Sequence, residues 1–165
     1  EPPSLQNSTV MKDRDRVDLG GLTLEILSAP GHAIGGIAVH IPELKAVLAS
    51  DCLGFRFPGL SDFFPIFFTG YAEYMSTIDR LESLRPEILG LAHQGPLLGA
   101  DAQAAFRLAR RSAQAMLELV LGAESESSLI EQIFEKFYRD EMKMYTRENI
   151  ETCCRLLIKR SREAK

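Results

Sequence analysis

Three short apolar runs in the first hundred residues each end on a polar side chain capable of binding metal. Leu22-Thr23-Leu24-Glu25-Ile26-Leu27 alternates and leads into Ala29-Pro30-Gly31-His32. Its period of two predicts a strand with one buried face, carrying Leu22, Leu24 and Ile26. Gly36–Ile41 predicts a second strand, with Ile37, Val39 and Ile41 on one face and Ala38 and His40 on the other. After the turn Pro42-Glu43-Leu44-Lys45 comes Ala46–Ala49, closed by Ser50-Asp51. So short a turn predicts an antiparallel pair. Ile88-Leu89-Gly90-Leu91 follows the same plan and ends on Ala92-His93. Upstream, Val17 to Gly21 reads as a strand end with a Gly-Gly turn.

The period changes to helical elsewhere. Tyr71–Leu84 predicts a helix with Tyr74, Met75, Ile78 and Leu81 on one stripe, stopped by Arg85-Pro86. Asp101 to Leu121 predicts a longer helix, with Ala102, Phe106, Ala109, Ala113, Met116 and Val120 on its apolar face. Arg107, Arg110 and Arg111 lie off that face and read as solvated. Ser128-Leu129-Ile130-Glu131 reads as a capping box opening a third helix. Thr146 caps a fourth, whose stripe holds Ile150, Cys153, Cys154, Leu157 and Ile158. No chemistry is visible from Leu98 onward. Residues 52–70 carry Phe55, Phe57, Phe63, Phe64, Phe67 and Phe68 among prolines and glycines. They read as a loop that either caps the sheet or faces a ligand or partner. The organisation is therefore an arm or severed linker over 1–16, a sheet-bearing segment over 17–100 and a three-helix segment over 101–165.

Composition narrows the class. The chain has 165 residues, 45% of them hydrophobic and 25% charged, with a formal net charge of -4. That charge makes no electrostatic case for nucleic acid or an anionic membrane surface. No apolar run approaches the length of a membrane span. The three cysteines, Cys52, Cys153 and Cys154, are an odd number and argue against a disulfide framework; reduced thiols in the cytoplasm are the expectation. The first residue is Glu1, which suggests a processed or truncated product.

Imidazole and carboxylate are the usual ligands of zinc and non-haem iron. His32, Asp51 and His93 are the candidates, each placed just past a strand. Pro30-Gly31 forces the tight turn that presents His32. From spacing alone the signal is weak, and each is also readable as an ordinary hydrogen-bonded loop residue. His40, on the other strand face, is outside this set.

These segments, in this order, resemble the metallo-β-lactamase superfamily. Ala29-Pro30-Gly31-His32-Ala33-Ile34-Gly35-Gly36-Ile37 looks like its proline-glycine-histidine segment. Ser50-Asp51-Cys52-Leu53 looks like its bridging-aspartate segment, and Leu91-Ala92-His93-Gln94-Gly95 like its last histidine segment. The resemblance covers roughly residues 17 to 100. It implies an α+β fold: the C-terminal half of an αββα sandwich, with a mixed or antiparallel sheet and outer helices, followed by a helical extension. It implies that His32 ligates one metal, Asp51 bridges two and serves the catalytic centre, and His93 ligates the second. The ions would be zinc, or iron or manganese, two in the complete protein. The implied activity is hydrolysis of a thioester, an ester or lactone, or a phosphoester of a small-molecule substrate by a metal-activated hydroxide.

The chain departs from the family pattern in ways that matter. It lacks the family's His-x-His-x-Asp-His motif. Ser50 stands where the family usually has glycine, and Ala92-His93-Gln94 differs from the usual Gly-His-Gly or Gly-His-Glu. Weak metal binding, or none, is expected of the isolated chain, and an inactive fragment of a larger hydrolase is the reading. A rival reading is a non-catalytic interaction module whose exposed sheet face pairs with a second copy, as a homo-oligomer, or with a missing N-terminal half. Another is a thiol or redox module through Cys52, which as a nucleophile would take His32 or His93 as its base.

Overall fold

A computed structural model describes residues 8–58 and 61–164. The first seven residues of the expected arm, and Gly59 and Leu60 of the phenylalanine-rich loop, lie outside the described residues.

Six strands form one mixed sheet. β1 (Arg16–Asp18), β2 (Thr23–Ser28), β3 (Ile37–Ile41) and β4 (Ala46–Ser50) make an antiparallel meander. A two-stranded ribbon, β5 (Phe55–Arg56) and β6 (Phe63–Phe64), and helix α1 (Tyr71–Ser83) come next. β7 (Ile88–Leu91) then pairs parallel to β4, and β8 (Leu97–Leu98) closes the edge, giving the order β1-β2-β3-β4-β7-β8. Helices α2 (Ala100–Gly122), α3 (Glu126–Phe137) and α4 (Arg147–Glu163) complete the chain. The architecture is the mixed α+β one expected.

The expected strands form, but the deeply buried face is the other one. Register places Leu27 opposite Ala38 and Val47 opposite Leu89. These four join Ala49, Ile78, Leu81 and Phe106 in one buried cluster that continues through Phe134 to Ile158. Leu24, Ile26, Ile37, Val39 and Leu48 occupy the opposite face, where Ile37 and Leu48 remain 48% and 46% exposed. Small residues, Ala38 and Ala49, let the helices approach the inner face. The larger β-branched residues crowd the open face, and strand period alone does not say which face a helix covers.

The helices match their stripes. Every residue expected on the α2 face is buried, as are Tyr74, Ile78 and Leu81 of α1. Two details differ. Helix α3 begins at Glu126 with Ser125 as N-cap, so Ser128 is inside the first turn and accepts from Gln132 Nε2 at 3.1 Å rather than capping. Arg110 is not a solvated bystander: its guanidinium bonds Asp79 (2.6 Å) and Glu82 (2.5 Å) of α1, bolting α2 to α1. Thr146 does cap α4, accepting from the Asn149 amide at 3.2 Å. The arm is fixed from Lys12 onward: Arg14 N donates to Ile26 O (2.7 Å), and Arg80 of α1 pairs with Asp13 (2.8 Å).

Candidate metal centre

Strand direction assembles the site. β3 runs antiparallel to both β2 and β4, so β2 and β4 share a direction, and β7 is parallel to β4. The carboxyl ends of β2, β4 and β7 therefore lie along one sheet edge, and His32, Asp51 and His93 follow them directly. His32 Nε2 lies 4.0 Å from Asp51 Oδ2, and His93 Nε2 lies 3.4 Å from Asp51 Oδ1. The carboxylate thus turns one oxygen toward each imidazole. All three side chains are between about a quarter and a third exposed.

Each turn is built for its residue. Gly31 has φ +121°, and a Cβ there would sit 2.4 Å from Tyr74 Cα, so only glycine brings the His32 turn against α1. Thr69 N donates to Gly31 O (2.9 Å), and Thr77 Oγ1 donates to Pro30 O (2.7 Å). His32 Nδ1 is 3.2 Å from Ile66 O. A carbonyl only accepts, so Nδ1 carries a proton, and Nε2 is the ring atom turned toward Asp51. Ser50 has φ +47° at an irregularity in the β4–β7 register, a left-handed conformation that glycine adopts without strain. Gln94, at φ +68°, is likewise left-handed, and its carbonyl accepts from Arg56 Nη2. Ala92 N donates to Ser50 O (3.1 Å), tying the two turns together.

Aromatic rings enclose the centre. Phe55 lies 4.8 Å from the His93 ring and Phe68 5.3 Å from the His32 ring, centroid to centroid. The phenylalanine loop divides between the core and a cavity wall. Phe57, Phe63 and Phe67 are fully buried, whereas Phe55, Phe64 and Phe68 wall a cavity of about 230 Å³ that holds His32, Asp51 and His93. The other wall comes from the helical segment: Met142, Tyr145, Asn149, Ile150 and Cys153. The sequence reading found no chemistry there. Ile150 and Cys153 sit on a helical stripe that reads as core, and nothing local shows that the start of α4 reaches the sheet edge. Arg160, near the C-terminus of α4, also reaches the loop: its Nε donates to Phe68 O at 2.9 Å, fastening it beside His32.

Two further side chains stand apart from the site. His40 Nδ1 pairs with Glu25 Oε2 at 3.2 Å within the sheet. Cys52 is 4% exposed, and burial, with the Asp51 charge adding to it, pushes its thiol up to about 12. A protonated, enclosed thiol is no nucleophile, so the Cys52 reading fails on physical grounds.

The family's sequence pattern, the metallo-beta-lactamase superfamily, matches residues 1–93, more than half of the chain. The chain belongs to the metallo-beta-lactamase superfamily. A metallo-beta-lactamase family protein of Thermus thermophilus superposes with a TM-score of 0.62 at 24% identity, over 93% of this chain and 48% of that one. A beta-lactamase domain protein of Burkholderia ambifaria gives 0.67 at 19% identity, over 95% and 47%. This superfamily member therefore spans about half the length of those structures, and the likeness shows the fold. Over 43 residues it is 46% identical to a hydroxyacylglutathione hydrolase of Ruegeria pomeroyi, covering 26% of this chain and 17% of that protein.

The donor set decides how a metal would fit. Among the described residues, no three His, Cys, Asp or Glu side chains converge as a single metal site. Two imidazoles flank separate oxygens of one carboxylate instead. That leaves no more than two of these donors for any one position, which is not a three-ligand centre. No helix among the described residues is long and apolar enough to cross a membrane.

Proposed function

We propose that this chain carries the His32–Asp51–His93 side of a two-metal hydrolytic centre that cleaves a thioester or related carboxylic ester. The supporting observation is the division of the Asp51 carboxylate between two imidazoles, Oδ2 toward His32 and Oδ1 toward His93. The hydroxyacylglutathione hydrolase similarity favours a thioester over a phosphoester. His32 and Asp51 would hold one ion, and His93 and Asp51 the other. Divalent metal ions at such a site supply Lewis acidity and lower the pKa of water. The Ile66 carbonyl keeps the His32 donor nitrogen aimed inward. Phe55, Phe64 and Phe68 exclude bulk water from one side, which strengthens charge interactions at the centre.

With two donors per position, binding by this chain is weak. Zinc titration followed by the imidazole NMR signals tests it. Signals of His32 and His93 should move together at millimolar zinc, while His40 stays still. Asp51→Ala should abolish both shifts. Shifts that survive Asp51→Ala, or no shift at all, would remove the two-metal reading.

A second reading is favoured by Ile37 and Leu48, both nearly half exposed on the open sheet face. We propose that this face pairs with another sheet, in a second copy or in a partner segment. Light scattering that finds a monodisperse monomer, unchanged by Leu48→Glu, would count against pairing between copies.

A further inference from the structure

The cavity beside Asp51 differs at its two ends. One end holds His32, Asp51 and His93. The remainder is lined by Phe55, Phe64, Ile66, Phe68, Met142 and Ile150, with Tyr145, Asn149 and Cys153 as its neutral polar groups. Among the described residues that line it, none is lysine or arginine. Of the nearby arginines, Arg56 donates to the Gln94 carbonyl, with its Nε buried and unpartnered, and Arg160 donates to the Phe68 carbonyl and pairs with Glu163 at 2.6 Å.

We propose that this cavity is the acyl-group subsite and that it selects an uncharged, largely apolar group, aromatic or branched aliphatic, with the reacting carbonyl at the Asp51 end. The inference rests on the hydrolase reading above and adds the substrate class. A carboxylate or phosphate on the acyl group, turned away from the Asp51 end, would be desolvated against phenylalanine, isoleucine and methionine with no lysine or arginine in the lining to pair it, and that cost is not recovered. The volume of about 230 Å³ exceeds the roughly 150 Å³ apolar cavity that accepts benzene. A phenyl ring with a short linker therefore fits. The exposed Asn149 at the start of α4 is among the lining residues and carries an amide that can hydrogen-bond a neutral polar substituent.

The test uses the metal-free chain, so it does not depend on metal binding or turnover. Three ketone probes are titrated: benzylacetone, its ring para-carboxamide and its ring para-carboxylate. The last two match in size and differ in charge. The Met142 and Ile150 methyl signals are followed by NMR. Benzylacetone and the carboxamide should shift them, and the carboxylate should bind at least about fivefold more weakly than the carboxamide. Asn149→Arg should narrow that gap by strengthening the carboxylate alone. Protection of Cys153 from N-ethylmaleimide by benzylacetone gives a second readout. Equal binding of carboxylate and carboxamide, or no perturbation of the methyls by benzylacetone up to saturation, would overturn the subsite. If zinc moves His32 and His93 yet benzylacetone leaves the methyls unmoved, the subsite fails and the hydrolase reading stands. The converse result fails the metal reading alone.

Discussion

Gly31→Ala should cripple the fold at the point where it presents His32. Two separate costs arise. Alanine at φ +121° is held in a region that L side chains rarely adopt, worth about 1–3 kcal/mol. The new Cβ also falls 2.4 Å from Tyr74 Cα and 2.7 Å from Tyr74 N. Those are backbone atoms of α1 and cannot swing aside, so helix or turn must shift, at about 1–3 kcal/mol more. Together the loss is about 4 kcal/mol, a large part of the roughly 5–15 kcal/mol of a domain's stability. For a chain of this length about 2–4 °C is lost per kcal/mol, so melting should fall by about 8–16 °C. Circular dichroism melting measures it. Gly35→Ala is the control: nothing lies within 4 Å of its Cβ and its φ is not left-handed. It should change stability by less than about 1 kcal/mol, in the stabilising direction. If Gly31→Ala melts with wild type while keeping the His32 to Ile66 hydrogen bond by NMR, the close approach of α1 is not what shapes this turn.

Other expectations follow from single contacts. Ser50→Gly should raise stability by up to about 1 kcal/mol, read as a higher urea midpoint, because it relieves the left-handed φ of +47°. In the folded chain at mildly alkaline pH, iodoacetamide followed by mass spectrometry should label Cys153 and spare Cys52, whose thiol is pushed up to about 12; labelling at Cys52 would contradict its burial. Arg160→Gln should weaken the Phe68 anchor at a cost of about 1 kcal/mol. Arg160→Lys should recover part of it, with the His32 ring signals reporting the recovery. The His40 hydrogen bond, followed by the Arg16 charge, holds the Glu25 carboxyl below its ordinary 4.5. A depressed acid contributes stability above its unfolded value and loses it as pH falls through the folded one. Glu25→Gln should therefore flatten part of the loss of stability below about pH 4.5; an unchanged acid profile would exclude the pair as its source.

Much of this arrangement is legible in the residues themselves. Strand ends could be read because Leu27, Ser50 and Leu91 each stop an apolar run, and helices could be read because their stripes step by three and four. The meeting of His32, Asp51 and His93 was readable only through the family resemblance, since alternation carries no information on which strands run parallel. The buried face was misjudged because Ala38 and Ala49 look minor beside Ile37 and Leu48, yet small residues are what a close-packed helix needs. Ser50 reads as a departure in chemistry, yet its left-handed φ of +47° is one that glycine adopts without strain, so the difference lies in the side chain that the turn carries. The helical wall of the cavity stayed hidden because Tyr145, Asn149 and Cys153 lie more than fifty residues beyond His93. Only tertiary packing brings them back.

The parallel pairing of β4 with β7 also bears on how the chain reaches its native state. A short turn can join β3 to β4, but about 40 residues separate Asp51 from His93, and a parallel pair cannot form without such a crossover. The entropy of closing that loop is lost before any contact across it is gained. The β1–β4 meander is therefore expected to form first, with β7 pairing only after the Phe-rich ribbon and α1 are laid down. In that interval the β4 edge is unpaired and apolar, open to strands of other chains. Refolding yield should fall steeply with protein concentration, and the loss should arise during the wait for β7.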